Sequence, residues 1–188
     1  MNNLCLWKKI VCGLVIAALA LFAGVRLYYS LTDDFRLANI RYDTPNRSEW
    51  QVPDQSAAEI THLNKILSQH FTYIGKGAQS YAFGSEDGKY VIKFFKFKHL
   101  RPSFWLDLLP PIFGLDNYKD KQYQRKERKL EGVFSGYRLA YLRHREDSGL
   151  LFIHLNHSEN LFPPMTVIDK MGWHHSIPLD GVVFILQE

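Results

Sequence analysis

The chain has 188 residues, of which 46% are hydrophobic and 22% charged, a balance that supports a packed core and excludes a globally disordered protein. Residues 1–31 contain three basic residues and no acid, so most of the formal charge of +4 lies there and the rest holds 20 basic and 19 acidic residues. This near-neutral remainder gives no ground for nucleic-acid binding, and the absence of cysteine beyond Cys12 excludes a disulfide framework in it.

The N-terminus carries an apolar run, Ile10–Val25, of sixteen residues without a charge. Arg26 and the two tyrosines after it suit a membrane interface, so the span can reach the length that a bilayer needs. We therefore predict a single-pass, uncleaved anchor over residues 1–31, with the lipid bilayer as its partner. A cleaved signal peptide is the alternative, but its best cleavage pattern, Ala18-Leu19-Ala20, lies inside the apolar run. Basic residues flank both sides, so their count does not assign the side of the globular domain.

Residues 32–70 are predicted to be a polar connector followed by a short helix. The stretch Phe35–Tyr42 is a candidate strand within this connector. Ser56 and Glu59 have the spacing of a capping box, and apolar residues continue from there at helical spacing. We expect that helix to end near His70.

A glycine-containing hairpin is predicted next. Its three strand-like runs are Phe71–Ile74, Ser80–Phe83 and Tyr90–Phe95. Gly75 and Gly77 follow the first run, and Asp87-Gly88 between the other two is a strong signal for a tight turn. A glycine loop exposes backbone N–H groups, and Lys93 lies among apolar strand residues nearby, so together they suit a phosphate.

The basic, aromatic stretch Lys93–Phe113 contains Pro102, Pro110 and Pro111 and is predicted to be irregular. It is a candidate contact for anionic lipid or for a protein partner. The alternative is that it covers the open end of the domain's own core.

The last third of the chain is predicted to hold a long helix over Asp116–Glu146 and three strands, Leu150–Leu155, Met165–Lys170 and Gly181–Leu186. The helix has a near-heptad apolar stripe, with Glu127 on it and Glu131 at its border. The histidines at 154, 157, 174 and 175 lack cysteine partners and helical spacing, so we interpret them as polar turn residues and assign no metal site.

The motifs Gly75-x-Gly77-x-x-Ser80 and Tyr90-Val91-Ile92-Lys93 resemble the G-x-G-x-x-G and V-A-I-K of the small lobe of eukaryotic-type protein kinases. Ser80 replaces the third glycine and Val91 the alanine. The resemblance implies an α+β fold: an N-terminal transmembrane helix, then an antiparallel sheet with a long helix, with the small-lobe-like domain over residues 71–188.

The resemblance also implies a nucleotide site with ATP as the ligand. Gly75, Gly77 and Ser80 would line its phosphate loop, Lys93 would contact the phosphates, and Glu131 would orient Lys93, with Glu127 as second choice. On this basis we expect Lys93 to be the partly buried lysine. Replacing it should destabilise the domain, whereas Lys96→Met should do little.

The sequence offers no catalytic residue of the kinase type. His144-Arg145-Glu146 precedes the strands that a catalytic loop should follow, and Asp33-Asp34-Phe35 lacks the glycine of a metal-binding motif. We expect either a truncated kinase-like protein or a small-lobe module, a pseudokinase, that binds without catalysing. The alternative is a membrane-tethered interaction protein with no nucleotide binding.

Overall fold

The computed structural model describes residues 2–41, 45–100 and 115–188. The chain forms two compact units, Met1–Phe35 and Arg36–Glu188. The prolines of the Lys93–Phe113 stretch lie outside the described residues, and so does most of the segment predicted to contact lipid or a partner.

The first unit is dominated by helix α1, Asn2–Leu31. Its section Trp7–Leu31 is long and apolar enough to cross a membrane, judged by length and composition. A signal sequence meets the same two criteria, so the structure shows one N-terminal helix with the dimensions of a membrane span and does not distinguish an anchor from a signal peptide.

The described residues of the second unit form four helices and seven strands. The helices are α2 (Leu37–Ile40), α3 (Ala57–Leu67), α4 (Leu115–Arg143) and α5 (Arg145–Ser148). The strands are β1 (Phe71–Lys76), β2 (Ser80–Ser85), β3 (Val91–Phe95), β4 (Leu150–His154), β5 (Met165–Ile168), β6 (His174–Ile177) and β7 (Phe184–Gln187). Short 3-10 turns lie at Ser48–Trp50, Phe97–His99 and Leu179–Gly181.

All seven strands form one sheet in the order β4-β7-β3-β2-β1-β5-β6. The prediction of α+β architecture is confirmed, but the sheet is mixed rather than antiparallel, because β5 pairs with β1 in parallel. The connection after β4 carries the chain to the opposite edge of the sheet. There β5 pairs with β1 and forms hydrogen bonds with backbone N–H and C=O groups that β1 would otherwise leave unpaired. Strand β6, which the sequence did not signal, then forms the edge.

Two local predictions need correction. The candidate strand Phe35–Tyr42 contains the short helix α2, and Arg41 makes an isolated antiparallel bridge with Val182. The long helix ends at Arg143, and α5 follows it after His144. Gly149 then stops α5 in a left-handed conformation with φ of +62°, which glycine adopts at little cost. The capping box between Ser56 and Glu59 is confirmed.

Aromatic side chains fill one face of the sheet. Phe83 on β2 packs edge-on against Phe94 on β3 with ring centroids 5.8 Å apart, and Phe94 contacts Phe184 on β7. All three rings are fully buried. Edge-to-face packing of large rings stabilises a core beyond the apolar area it buries, so this row fixes the register of the central strands.

Helix α4 packs on the opposite face. Phe134 contacts Phe95 with ring centroids 5.4 Å apart and Trp50 with ring centroids 4.8 Å apart, and Leu130 and Tyr141 join the same buried cluster. The stripe predicted on this helix is therefore its packed face from Leu130 onward, whereas Tyr123, at the start of the stripe, is exposed.

Candidate functional site

The glycine hairpin is formed by β1 and β2, which pair antiparallel with a bulge between Tyr73 and Gly75. The amide N–H of Gly77 donates to the carbonyl oxygen of Ser80 at 2.9 Å and closes the loop. Neither Gly75 nor Gly77 has a positive φ. A Cβ built on Gly75 would meet no atom within 4 Å, and one on Gly77 would meet only the Ser80 carbonyl oxygen at 4.0 Å. Neither backbone strain nor crowding in the described structure explains why both positions are glycine.

Strand pairing places Lys93 in the same row as this loop. Gly75 lies opposite Ala82, Ala82 opposite Lys93, and Lys93 opposite Ile185. Residues that are directly opposite in adjacent strands share one face of the sheet. Gly75, Ala82 and Lys93 therefore form one row, which we call the glycine–lysine row, and each of its members is half-buried.

The ammonium group of Lys93 forms a hydrogen bond with a side chain of the neighbouring strand β7. Its Nζ donates a hydrogen bond to Oε1 of Gln187, the residue that pairs with Val91 on the neighbouring strand. Gln187 in turn donates through Nε2 to the carbonyl oxygen of Ser148 at 2.9 Å. An ammonium has three donors, so the bond to Gln187 leaves Lys93 able to donate to a further acceptor.

The expected pairing of Lys93 with Glu131 or Glu127 is wrong. Glu131 accepts from Nε1 of Trp50 at 3.1 Å and from the Ser135 hydroxyl at 3.0 Å. These two acids also meet Arg47, which contacts Glu127 at 2.7 Å and Glu131 at 3.7 Å. The reason is the packing of α4: with Phe134 seated on Trp50, the preceding turn of the helix faces the Ser48–Trp50 segment instead of β3.

Sequence reasoning missed Lys96, the buried lysine of this region, which is only 7% exposed. Its Nζ donates to the carbonyl oxygen of Gly77 at 2.5 Å and lies 4.6 Å from the centroid of the Tyr81 ring. Its amide N–H donates to the carbonyl oxygen of Gln79 at 2.8 Å. Lys96 thus ties the end of β3 to the glycine loop. Its position next to Phe94, Phe95 and Phe97 was the feature of the sequence that could have indicated a buried lysine.

The interpretation of the histidines as polar turn residues is wrong for His154, His174 and His175, which lie in strands β4 and β6. The buried ring of His154 packs against three phenylalanines, its Nδ1 lies 2.8 Å from the Val182 carbonyl oxygen, and its Nε2 lies 3.1 Å from the Ser158 hydroxyl. Burial lowers the pKa of His154, although the bond to Val182 and the charge of Asp180 oppose this. Ser158 donates to Asp180. The carboxylate therefore faces the hydroxyl and not the imidazole, so this trio lacks the order of a Ser-His-Asp triad.

His175, on β6, contacts Asp169, the first residue of the turn between β5 and β6, at 2.8 Å. Burial raises the pKa of Asp169, but hydrogen bonds from His175 and from the amides of Trp173 and Met171 outweigh it and leave that pKa below its ordinary value. In the part of the chain that the structure describes, no three His, Cys, Asp or Glu side chains are grouped so as to hold a metal ion.

No family model, curated protein or solved structure matches this chain.

Proposed function

We propose that this protein is a membrane-anchored, kinase-small-lobe-like module that binds a nucleotide or a related phosphate ligand and does not catalyse phosphoryl transfer on its own. The observation that carries the proposal is the glycine–lysine row, in which Gly75, Ala82 and Lys93 lie side by side on one face of the sheet. The open space over Gly75 and the lack of crowding at Gly77 support it, because small residues there let a ligand approach the backbone closely.

The order of elements also supports the proposal. The long helix α4 connects β3, which carries the lysine, to β4, and the five strands β4-β7-β3-β2-β1 are antiparallel neighbours. Phe95, two residues after Lys93, packs against Phe134 of α4, so the helix and the lysine share a face of the sheet. This is the arrangement that the resemblance implies. Gln187 takes the place of the expected glutamate as the partner of Lys93, which favours binding over catalysis.

Nucleotide binding is testable on the full-length chain in detergent or lipid nanodiscs. ATP should raise the melting temperature of the protein, and Lys93→Met should abolish that shift. Lys89→Met is the matched control, because Lys89 is exposed in the neighbouring turn and its variant should respond to ATP as the parent does. A parent protein whose melting temperature and fluorescence are unchanged by ATP, ADP and inorganic phosphate would contradict the proposal.

One observation favours the alternative, a membrane-tethered interaction protein. In the turn between β5 and β6, the amides of Met171 and Trp173 donate hydrogen bonds to Asp169, yet the side chain of Trp173 is 64% exposed and that of Met171 is 47% exposed. Exposed tryptophan is typical of binding surfaces. Retention of a partner that depends on Trp173, together with no response to nucleotide, would favour this function.

A further inference from the structure

Helix α4 changes character at Leu130. No residue from Asp116 to Lys129 is buried, whereas Leu130, Phe134 and Tyr141 on the second half are buried in the core. Tertiary packing usually supplies most of the stability of a protein helix. The first half of α4 is about 20 Å long at 1.5 Å per residue. It has no stripe of buried residues whose packing would stabilise it as a helix.

Most of the charges on this half are separated by sign, and the half-buried Lys119 and Lys126 lie between the two sides. Asp116, Asp120 and Glu127 follow at spacings of four and seven residues, and Phe134 lies seven residues further, so the acids share the side that continues into the core. Four basic residues occupy the other side: Arg125 lies four residues after Lys121, and Arg128 and Lys129 lie three and four residues after Arg125. We call these four residues the basic face. A helix stabilised by its own ion pairs would instead alternate the two signs along each face.

The basic face is open to solvent. All four of its side chains are exposed, and Arg128 donates through Nε only to the Gln124 carbonyl oxygen at 3.4 Å. Within the described parts of the chain, none of the four forms an ion pair with a carboxylate. Four uncompensated positive charges therefore lie within about 12 Å of helix.

We propose that the basic face binds an anionic lipid surface. The proposal rests on the membrane anchor proposed above. Helix α1 ends at Leu31 and the second unit begins at Arg36, so this short covalent link would hold the domain beside a bilayer at high effective concentration. Each Lys or Arg near an anionic membrane strengthens association roughly fivefold, and the basic face supplies four of them.

The test uses the full chain in lipid nanodiscs, with Cys5 and Cys12 replaced by serine and a fluorophore on Tyr118→Cys. Tyr118 is exposed and lies three residues before Lys121, so the label reports on the basic face. Nitroxide-headgroup lipid should quench the label in discs that contain phosphatidylserine, and much less in purely zwitterionic discs. Added salt should reverse the quenching, because surface charges are screened.

Matched double variants distinguish lipid binding by the basic face from an effect of the protein's overall positive charge. Arg125→Gln with Lys129→Gln should weaken the lipid contact roughly thirtyfold, without changing the melting temperature. Lys65 and Lys89 are also exposed, and in the variant with Lys65→Gln and Lys89→Gln the label should be quenched as strongly as in the parent. Equal quenching in both kinds of disc, or equal loss in both double variants, would overturn the proposal. Failure of the chain to enter discs at all would instead contradict the anchor, and neither readout depends on nucleotide.

Discussion

Lys96 and Gly77 are joined by a hydrogen bond of 2.5 Å between a buried ammonium and a backbone carbonyl oxygen, nineteen residues apart in the chain. The same lysine also contacts the carbonyl oxygen of Gln79 through its amide and the ring of Tyr81 through its ammonium group. The glycine loop is therefore fastened to the end of β3 by a residue that is not the lysine of the kinase-like motif.

Lys96→Met should lower the free energy of unfolding by about 2 kcal/mol, since a hydrogen bond to a charged group and a cation–π contact are lost together. The melting temperature should fall by roughly 5 °C. Lys89→Met, at an exposed turn position, should change stability by no more than about 0.5 kcal/mol. Equal stability of the two variants in thermal or denaturant unfolding would contradict the buried role of Lys96.

Lys93 should be coupled to Gln187 and not to Glu131. In a double-mutant cycle, Lys93→Met with Glu131→Gln should be additive within about 0.5 kcal/mol, because these two side chains have different partners. Lys93→Met with Gln187→Leu should depart from additivity by at least about 0.5 kcal/mol, because they share a hydrogen bond. The reverse pattern in denaturant unfolding would restore the pairing that the kinase resemblance implies.

Gly77→Ala should leave stability unchanged or raise it by about 0.4–1 kcal/mol, because the added methyl group makes only an ordinary contact with the Ser80 carbonyl oxygen at 4.0 Å and the unfolded chain loses freedom. It should weaken nucleotide binding if the ligand approaches the loop closely. Gly149→Ala is the contrasting variant, with a left-handed φ and the Glu188 carbonyl oxygen 3.2 Å from the new Cβ. It should cost about 1–2 kcal/mol. A loss of thermal stability in Gly77→Ala comparable to that in Gly149→Ala would show that the loop glycine is structural.

Stability should fall as the pH drops below about 6.5. Burial lowers the pKa of His154 below its ordinary value of 6.5, so the unfolded chain binds a proton at a higher pH than the folded protein does. The stabilising contribution is present above the unfolded pKa and is lost as the pH falls towards the folded one. Denaturant unfolding from pH 8 to pH 5 should show this slope, and His154→Asn should flatten it. An unchanged slope in His154→Asn would assign the effect to another group.

The full-length protein should stay in the membrane pellet after an alkaline carbonate wash, because Trp7–Leu31 is long and apolar enough to span a bilayer. The Ala18-Leu19-Ala20 pattern is a poor cleavage site because apolar residues continue after it. Recovery of a soluble form that begins near Leu21 would show that the helix is a signal peptide.

Features with local causes could be read from the sequence. The capping box at Ser56 and Glu59 needs only two residues three positions apart, and both hydrogen bonds are made. The turn at Gly88, with φ of +70°, connects β2 and β3 where the Asp-Gly pair predicted it. The order strand, glycine loop, strand and lysine strand was likewise predicted, because alternation and glycine placement act over a few residues.

Partners that are distant in the chain were decided by the tertiary structure. The sequence placed Lys93 and Lys96 three residues apart among aromatic side chains, but only the packed sheet determined which of the two is buried. Glu131 accepts a hydrogen bond from the indole N–H of Trp50, 81 positions away, because the packing of Phe134 against that indole sets the rotation of α4 about its axis. Strand β5 pairs with β1 because unpaired backbone N–H and C=O groups along the edge of β1 need hydrogen-bond partners. The sequence pattern of a strand does not show which of its edges will lack a neighbour.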